Sequence, residues 1–195
     1  MIRLLVSVFC LNLCGNIILA QDDLAENRIY TSVEEALMAD PDSVFHLDLS
    51  RSRLKEVPDT ILVFHNLRTL DLSKNKLTNL PKDMYFKQLE VLNLTKNKFE
   101  GFPPVICKHQ QLRQLFMGKN KLEALPACIG SLTELVVLDL WFNLIIEVPE
   151  SIENLKKLQS FDLRGMNYSE DQQKKWQALV PWVKIDYDVG CDCGY

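Results

Sequence analysis

The sequence predicts an α/β solenoid of stacked turns, and three observations carry that prediction. One phrase recurs six times, starting at Val44, Leu67, Leu89, Leu112, Leu135 and Leu158, so successive starts are 23, 22, 23, 23 and 23 residues apart. Inside each copy the apolar residues keep the same places. An asparagine and a later proline also hold fixed places in most copies. A constant period of this length marks an architecture in which each repeat buries its apolar face only by stacking on its neighbours.

Each place in the repeat has a physical reading. Positions 4 and 6 are Leu47/Leu49, Leu70/Leu72, Leu92/Leu94, Leu115/Met117, Leu138/Leu140 and Phe161/Leu163. A two-residue spacing puts both side chains on one face of a short strand, so the stack should form a parallel sheet of about six short strands. Position 9 is Asn75, Asn97, Asn120 and Asn143 in the middle repeats. An amide at a buried bend can bond backbone groups that would otherwise go unpaired. The outermost repeats carry Ser52 and Met166 there and read as degenerate caps. Pro58, Pro81, Pro103, Pro126 and Pro149 then stop the strand pattern. Three residues further on, Ile61, Met84, Ile106, Ile129 and Ile152 form a second inward column. The next column is Phe64, Leu132 and Leu155, with Phe86 standing in for Lys87 because repeat two is one residue short. His109 interrupts it and is expected to pack partly exposed.

The flanks read as lids. Thr31 with Glu34 suggests a capping box ahead of Val33, Ala36 and Leu37, with a helix running to about Ala39. Ser169 begins a second helix with Trp176 and Leu179 facing inward, and Val183, Ile185 and Tyr187 alternate as a final strand. The organisation expected is a signal peptide at 1–20, a linker and capping helix at 21–43, repeats at 44–168, and a C-terminal cap at 169–195 comprising helix, short strand and cysteine-containing tail.

Met1-Ile2-Arg3, the apolar run Leu4 to Leu19, and Ala20 before Gln21-Asp22-Asp23 read as a secretory signal. An uncleaved anchor is the rival reading, but Asn12, Gly15 and Asn16 interrupt the run. No transmembrane segment is expected in the mature chain, which should be secreted or cell-surface, periplasmic or extracellular in a bacterium. Export leaves Cys107, Cys128, Cys191 and Cys193 in an oxidising compartment. Cys107 and Cys128 follow Pro103 and Pro126 in adjacent repeats at nearly matching places, which suggests a disulfide; the alternative is two small core residues. The two tail thiols make an incomplete metal site without histidines nearby, so no metal and no cofactor is expected.

The leucines, the asparagine and the Leu-Pro-x-x-Ile run together resemble the 23-residue leucine-rich repeats of the Ras-scaffold and plant disease-resistance type, across residues 44–168. The segment Tyr30-Thr31-Ser32-Val33-Glu34-Glu35-Ala36-Leu37 followed by Pro41 is similar to that of short exported bacterial proteins of this kind. The resemblance implies an arc with the sheet on its concave face, helical caps at both ends, and a non-enzymatic protein-interaction role. The cysteine-rich flanking caps of the extracellular animal group are missing from the sequence pattern.

Net charge of -4 argues against a nucleic-acid binder. The acids Asp48, Asp71, Asp139 and Asp162 recur at position 5 by repeat register and read as solvated sheet edges, while His46, His65 and His109 share no register; an enzyme is not expected. Asn93-Leu94-Thr95 and Asn167-Tyr168-Ser169 read as chance glycosylation matches. Position 8 is Arg51, Lys74, Lys96 and Lys119, and position 10 is Arg53, Lys76, Lys98 and Lys121, so stacking should align two basic rows. Repeat five breaks both rows with Trp141, Phe142 and Leu144, and Phe116 should stand beside them on the sheet. Nothing in the repeat requires large aromatics outside the core. Phe116, Trp141 and Phe142, flanked by Lys74, Lys96, Lys98, Lys119 and Lys121, are therefore the candidate partner-binding residues of a chain expected to act as a monomer. A protein partner is the first reading; capture of an acidic glycan or other anionic polymer by the basic rows is the second, and a structural surface protein the third.

Overall fold

A computed structural model of the chain describes residues 26–188; the signal segment at 1–20 and the tail cysteines Cys191 and Cys193 lie outside them. The described residues form an open sheet of eight parallel strands in strictly sequential order. These are β1 Ile29–Tyr30, β2 His46–Asp48, β3 Thr69–Asp71, β4 Val91–Asn93, β5 Gln114–Phe116, β6 Val137–Asp139, β7 Ser160–Asp162 and β8 Ile185–Asp186. The expected sheet of about six strands is thus corrected to eight, because each flank adds one short strand to an end of the stack. Ile29 aligns with His46 at one edge and Phe161 with Ile185 at the other.

The register follows the sequence columns. Leu47, Leu70, Leu92, Leu115, Leu138 and Phe161 pair in sequence across the sheet, all essentially buried. Behind the sheet the chain returns through one-turn 3-10 helices at Asp59–Val63, Pro104–Lys108, Ala127–Ser131 and Glu150–Asn154, each entered through a proline. Ile61, Met84, Ile106, Ile129 and Ile152 are fully buried along this return.

The asparagine column forms a ladder. Asn120 donates from Nδ2 to the carbonyls of Leu94 (3.1 Å) and Met117 (2.9 Å), while its Oδ1 accepts from the Phe99 N–H at 3.2 Å. Asn75, Asn97 and Asn143 repeat this pattern one turn apart. Each amide therefore ties its own turn to the one before it, satisfying backbone groups that water cannot reach.

Two details of the expected packing change. His109 is buried, at 2% exposure, rather than partly exposed. Its Nε2 accepts the Phe86 N–H at 3.2 Å, and its Nδ1 lies 3.2 Å from the Ile106 carbonyl. The cause is the short second repeat. In the other repeats the matching N–H bonds the residue three back, as Phe64 does to Ile61 and Leu132 to Ile129. Repeat two has no such helix, so the histidine ring supplies the missing acceptor. Phe86 itself fills the column as expected, at 1% exposure.

The N-terminal helix α1, Val33–Leu37, also shifts by one residue. Its N-cap is Ser32, which accepts the Glu35 N–H at 3.1 Å, and the Glu35 carboxylate accepts the Thr31 N–H at 3.1 Å. The helix stops short of Ala39, and Leu37 is 47% exposed. Helix α2, Glu170–Leu179, starts on the expected cap, with Ser169 and Gln172 bonding reciprocally, and buries Trp176.

Candidate functional site

The strands place positions 3 and 5 on the face of the sheet opposite the core, and the chain then bends at positions 7 and 8. Asp48 Oδ1 accepts the Ser50 N–H at 2.8 Å, Asp71 that of Ser73 at 2.7 Å, Asn93 that of Thr95 at 3.1 Å, and Asp162 that of Arg164 at 2.9 Å. The position-5 acids are therefore turn-forming groups and more than solvated edges. A short carboxylate or amide that bonds a backbone two residues on is how such a bend is held. Asp139 does the same for Trp141 at 3.3 Å. Burial pushes the Asp139 carboxyl up to about 6, against the Trp141 N–H that favours its ionised form.

The basic row at position 8 has a backbone constraint behind it. Arg51, Lys74, Lys96, Lys119 and Phe142 all have positive φ, between 52° and 58°, and Gly165 closes the column at 103°. Each donates its N–H to the position-7 carbonyl of the next repeat, as Lys96 does to Gly118 at 2.8 Å and Lys119 to Trp141 at 2.7 Å. Left-handed backbone costs a residue with a Cβ about 1 kcal/mol or more, so neighbouring turns must enforce it. The lysines of both rows, Lys74, Lys96, Lys98, Lys119 and Lys121 among them, point to solvent. Lys121 meets Glu100 at 3.1 Å, a pairing of exposed groups that adds little stability.

The candidate aromatics come together in part. Trp141 and Phe142 meet edge-to-face with ring centroids 5.3 Å apart. Lys119 Nζ caps both, 4.7 Å from the indole ring and 5.3 Å from the phenyl centroid, a cation–π arrangement. Trp141 is half-buried because its indole lies over Gly118, where any Cβ would collide with it. Phe142 packs its backbone and ring on Gly165 in the same way, yet remains 55% exposed. Phe116 sits on β5 beside Asp139 and is half-buried, without a ring contact to the pair. The exposed apolar surface continues instead along the turn, through Leu144 at 45% and Ile146 at 66% exposure. Leu144 broke the basic row visibly; Ile146 carried no such signal, since position 12 has no fixed type. A shallow hollow of about 320 Å³ borders the aromatics, lined by Asp139, Trp141, Phe142, Asp162, Arg164 and Asp188. Arg164 clamps Asp162 through Nε at 3.0 Å and Nη2 at 2.6 Å.

On the opposite side of the stack Cys107 and Cys128 are joined in the structure, Cα to Cα 5.9 Å, linking two successive 3-10 helices. Ser131 Oγ donates to both their carbonyls, at 3.0 and 2.8 Å. No cluster of residues suited to a metal ion occurs among the described residues, and none of their helices is long and apolar enough to cross a membrane.

A parallel sheet built one strand per turn, with an asparagine ladder and a buried leucine lattice, is the leucine-rich repeat fold. The leucine rich repeat family model matches residues 42–99 and 65–122. A 70-residue stretch is 40% identical to the human leucine-rich repeat and calponin homology domain-containing protein 1, covering 34% of this chain and 10% of that protein. A solved leucine-rich repeat protein of Leptospira interrogans superposes with a TM-score of 0.59 at 29% identity, over 82% of this chain and 46% of its own. The Arabidopsis receptor kinase HAESA ectodomain, solved with an extended IDA peptide hormone, superposes with a TM-score of 0.53 at 30% identity, over 64% of this chain and 22% of its own. This chain therefore spans less than half the length of each. Domains of this fold typically mediate protein–protein interaction.

Proposed function

We propose that this chain is an exported, non-enzymatic protein-binding module that holds its partner on the concave face at the step between repeats four and five. One observation carries the reading: Trp141 and Phe142 replace the small and basic residues of the other turns and stay on the surface under Lys119. Leaving such rings in water forgoes burial worth roughly 1.5–3 kcal/mol for a side chain like Phe, which a covering partner would recover. Lys74, Lys96, Lys98, Lys119 and Lys121 flank the rings on one side, and they steer an acidic partner without supplying most of the affinity. Export is supported by the apolar segment before Gln21 and by the proximity of Cys107 and Cys128.

The test is a paired capture from the native extracellular fraction, with wild type and Trp141→Ala/Phe142→Ala as baits. A protein retained by the first and lost from the second supports the reading. The same protein on both baits refutes it. A second reading, capture of an anionic polymer, rests on the two aligned basic rows. It requires binding that falls steeply with salt and is indifferent to the aromatic changes.

A further inference from the structure

The short second repeat is bordered by a hollow on the flank where the returning chain re-enters the sheet. Its return through Pro81 and Phe86 lacks the 3-10 helix that the neighbouring returns carry at Asp59–Val63 and Pro104–Lys108. The hollow measures about 490 Å³, within the size range of small-ligand sites. Tyr85, Lys87 and Glu90 line it from one turn, and Lys108, Gln110 and Gln111 from the next.

Two of these groups are held in place by the repair of the short repeat. His109 accepts the N–H of Phe86, next to Tyr85, and its ring lies 5.7 Å from the Tyr85 ring. The tyrosine is thereby anchored at its base while remaining 52% exposed. Lys108 Nζ donates to the Lys82 carbonyl at 2.9 Å, which fixes its ammonium across the two turns.

The other polar groups of the hollow are unengaged. At the last place of each repeat, side chains pair across turns elsewhere: Gln88 Nε2 donates to Asn66 Oδ1 at 3.2 Å, and Lys157 Nζ to Glu134 Oε1 at 2.7 Å. Gln111 stands between these two pairs in the same column, and its amide bonds neither neighbour. Among the described residues, the side chains of Lys87, Glu90 and Gln110 make no hydrogen bond or ion pair either.

This set of groups selects a ligand chemistry. Amides and a carboxylate both donate to and accept from hydroxyls, and an exposed aromatic ring covers an apolar ring face. Two ammoniums favour one acid group, while Glu90 disfavours a multiply charged anion, and no arginine lines the hollow. A wholly apolar ligand would leave the amides and charges unpaired. We propose that this hollow binds a carboxylated sugar, a uronic acid residue of a glycan. Tyr85 lies against the pyranose ring, Gln110, Gln111 and Glu90 bond its hydroxyls, and Lys87 and Lys108 meet its carboxylate. The site is separate from the concave face and from the two basic rows, so it stands or falls independently of both readings given above.

The probe is digalacturonate, titrated into the full chain at pH 7 and followed by calorimetry. One control is its dimethyl ester, which keeps the rings and most hydroxyls but loses the charge. The other is acetyl-Glu-Glu-amide, which keeps two carboxylates but has no sugar ring. Digalacturonate should bind about tenfold or more tighter than either, the range set by losing a charge-assisted hydrogen bond. Lys87→Ala should remove that advantage over the ester and leave the ester's own affinity unchanged. Tyr85→Ala should weaken both sugars, and Tyr85→Phe should restore them. Lys96→Ala/Lys119→Ala and Trp141→Ala should leave digalacturonate binding as it is, and thermal unfolding of each variant checks the fold. Absence of binding, equal binding of the acidic peptide, or indifference to Tyr85→Ala and Lys87→Ala overturns the proposal. Binding lost with Lys96→Ala/Lys119→Ala but kept by the hollow's variants also overturns it, and assigns the sugar acid to the basic rows.

Discussion

Replacing Asn120 by alanine should destabilise the protein by about 2–6 kcal/mol, and the structure shows where that figure arises. The amide makes three hydrogen bonds at 8% exposure. Its two carbonyl partners each keep a second bond, Leu94 from Asn97 at 2.9 Å and Met117 from Asn143 at 3.0 Å. Losing one of two bonds costs each about 0.5–1.5 kcal/mol. The Phe99 N–H has no other acceptor and is left buried and unpaired, which adds ~1–3 kcal/mol. Equilibrium urea unfolding followed by tryptophan fluorescence and circular dichroism measures the change, with the m-value checking that unfolding stays cooperative. Asn120→Asp sharpens the test. A carboxylate accepts from Phe99 but offers no donor, and it directs negative charge at two carbonyl oxygens, so it should cost at least as much as alanine at pH 7. A loss below about 0.5 kcal/mol for alanine, or a milder effect for aspartate, would refute the ladder as a source of stability.

Three further outcomes are expected. Peptide mapping without reduction should recover Cys107 and Cys128 as one linked pair; with a sequence separation of 21, reduction should lower stability by ~3 kcal/mol, and two separately alkylated thiols would contradict the pairing. Burial lowers the His109 pKa below its ordinary value of 6.5, so only the unfolded chain gains that proton in mild acid and this contribution to stability is lost as pH falls through that value; His109→Leu should remove that part of the slope while losing ~1–3 kcal/mol at pH 7 from the orphaned Phe86 N–H. Asp139 works in the opposite sense: its carboxyl is raised from 3.8 to about 6, so the folded state retains a proton there that the unfolded state has released, and stability declines as pH rises across that window. Asp139→Asn, which can keep the bond to Trp141 as Asn93 keeps that to Thr95, should stabilise the protein by ~1 kcal/mol at pH 7.5 and by nothing near pH 4, as measured by urea titrations at both pH values.

What the sequence made legible is what stacking repeats. Leucines at positions 4 and 6, the asparagine column and the proline entries each recur, so burial and hydrogen bonding could be read from register alone. Features that compensate for a departure were not legible in the same way. His109 is buried because a deletion 23 residues earlier orphans the Phe86 N–H, a long-range consequence with no local motif. The left-handed backbone under Arg51, Lys74, Lys96 and Lys119 was masked by side chains that ordinarily avoid it, and only Gly165 hinted at the conformation. The added edge strands are two residues each, too short for alternation to reveal β1. At the candidate site, the loss of the basic pattern in repeat five was visible. That Phe116 would sit apart from Trp141 and Phe142, and that Ile146 would join the exposed run, depends on how the turn projects its side chains.

The central claim, a protein partner held at the aromatic step of the concave face, is tested most directly by one comparison of affinities. Once the captured partner is purified, its dissociation constant is measured for wild type, Trp141→Ala and Lys119→Ala across a salt series. The account predicts that Trp141→Ala weakens binding by about 2 kcal/mol or more at every salt concentration, as interface aromatics do. Lys119→Ala should chiefly slow association and flatten its salt dependence. Unchanged affinity for Trp141→Ala together with a large, salt-sensitive loss for Lys119→Ala would contradict the account and assign the surface to an anionic polymer.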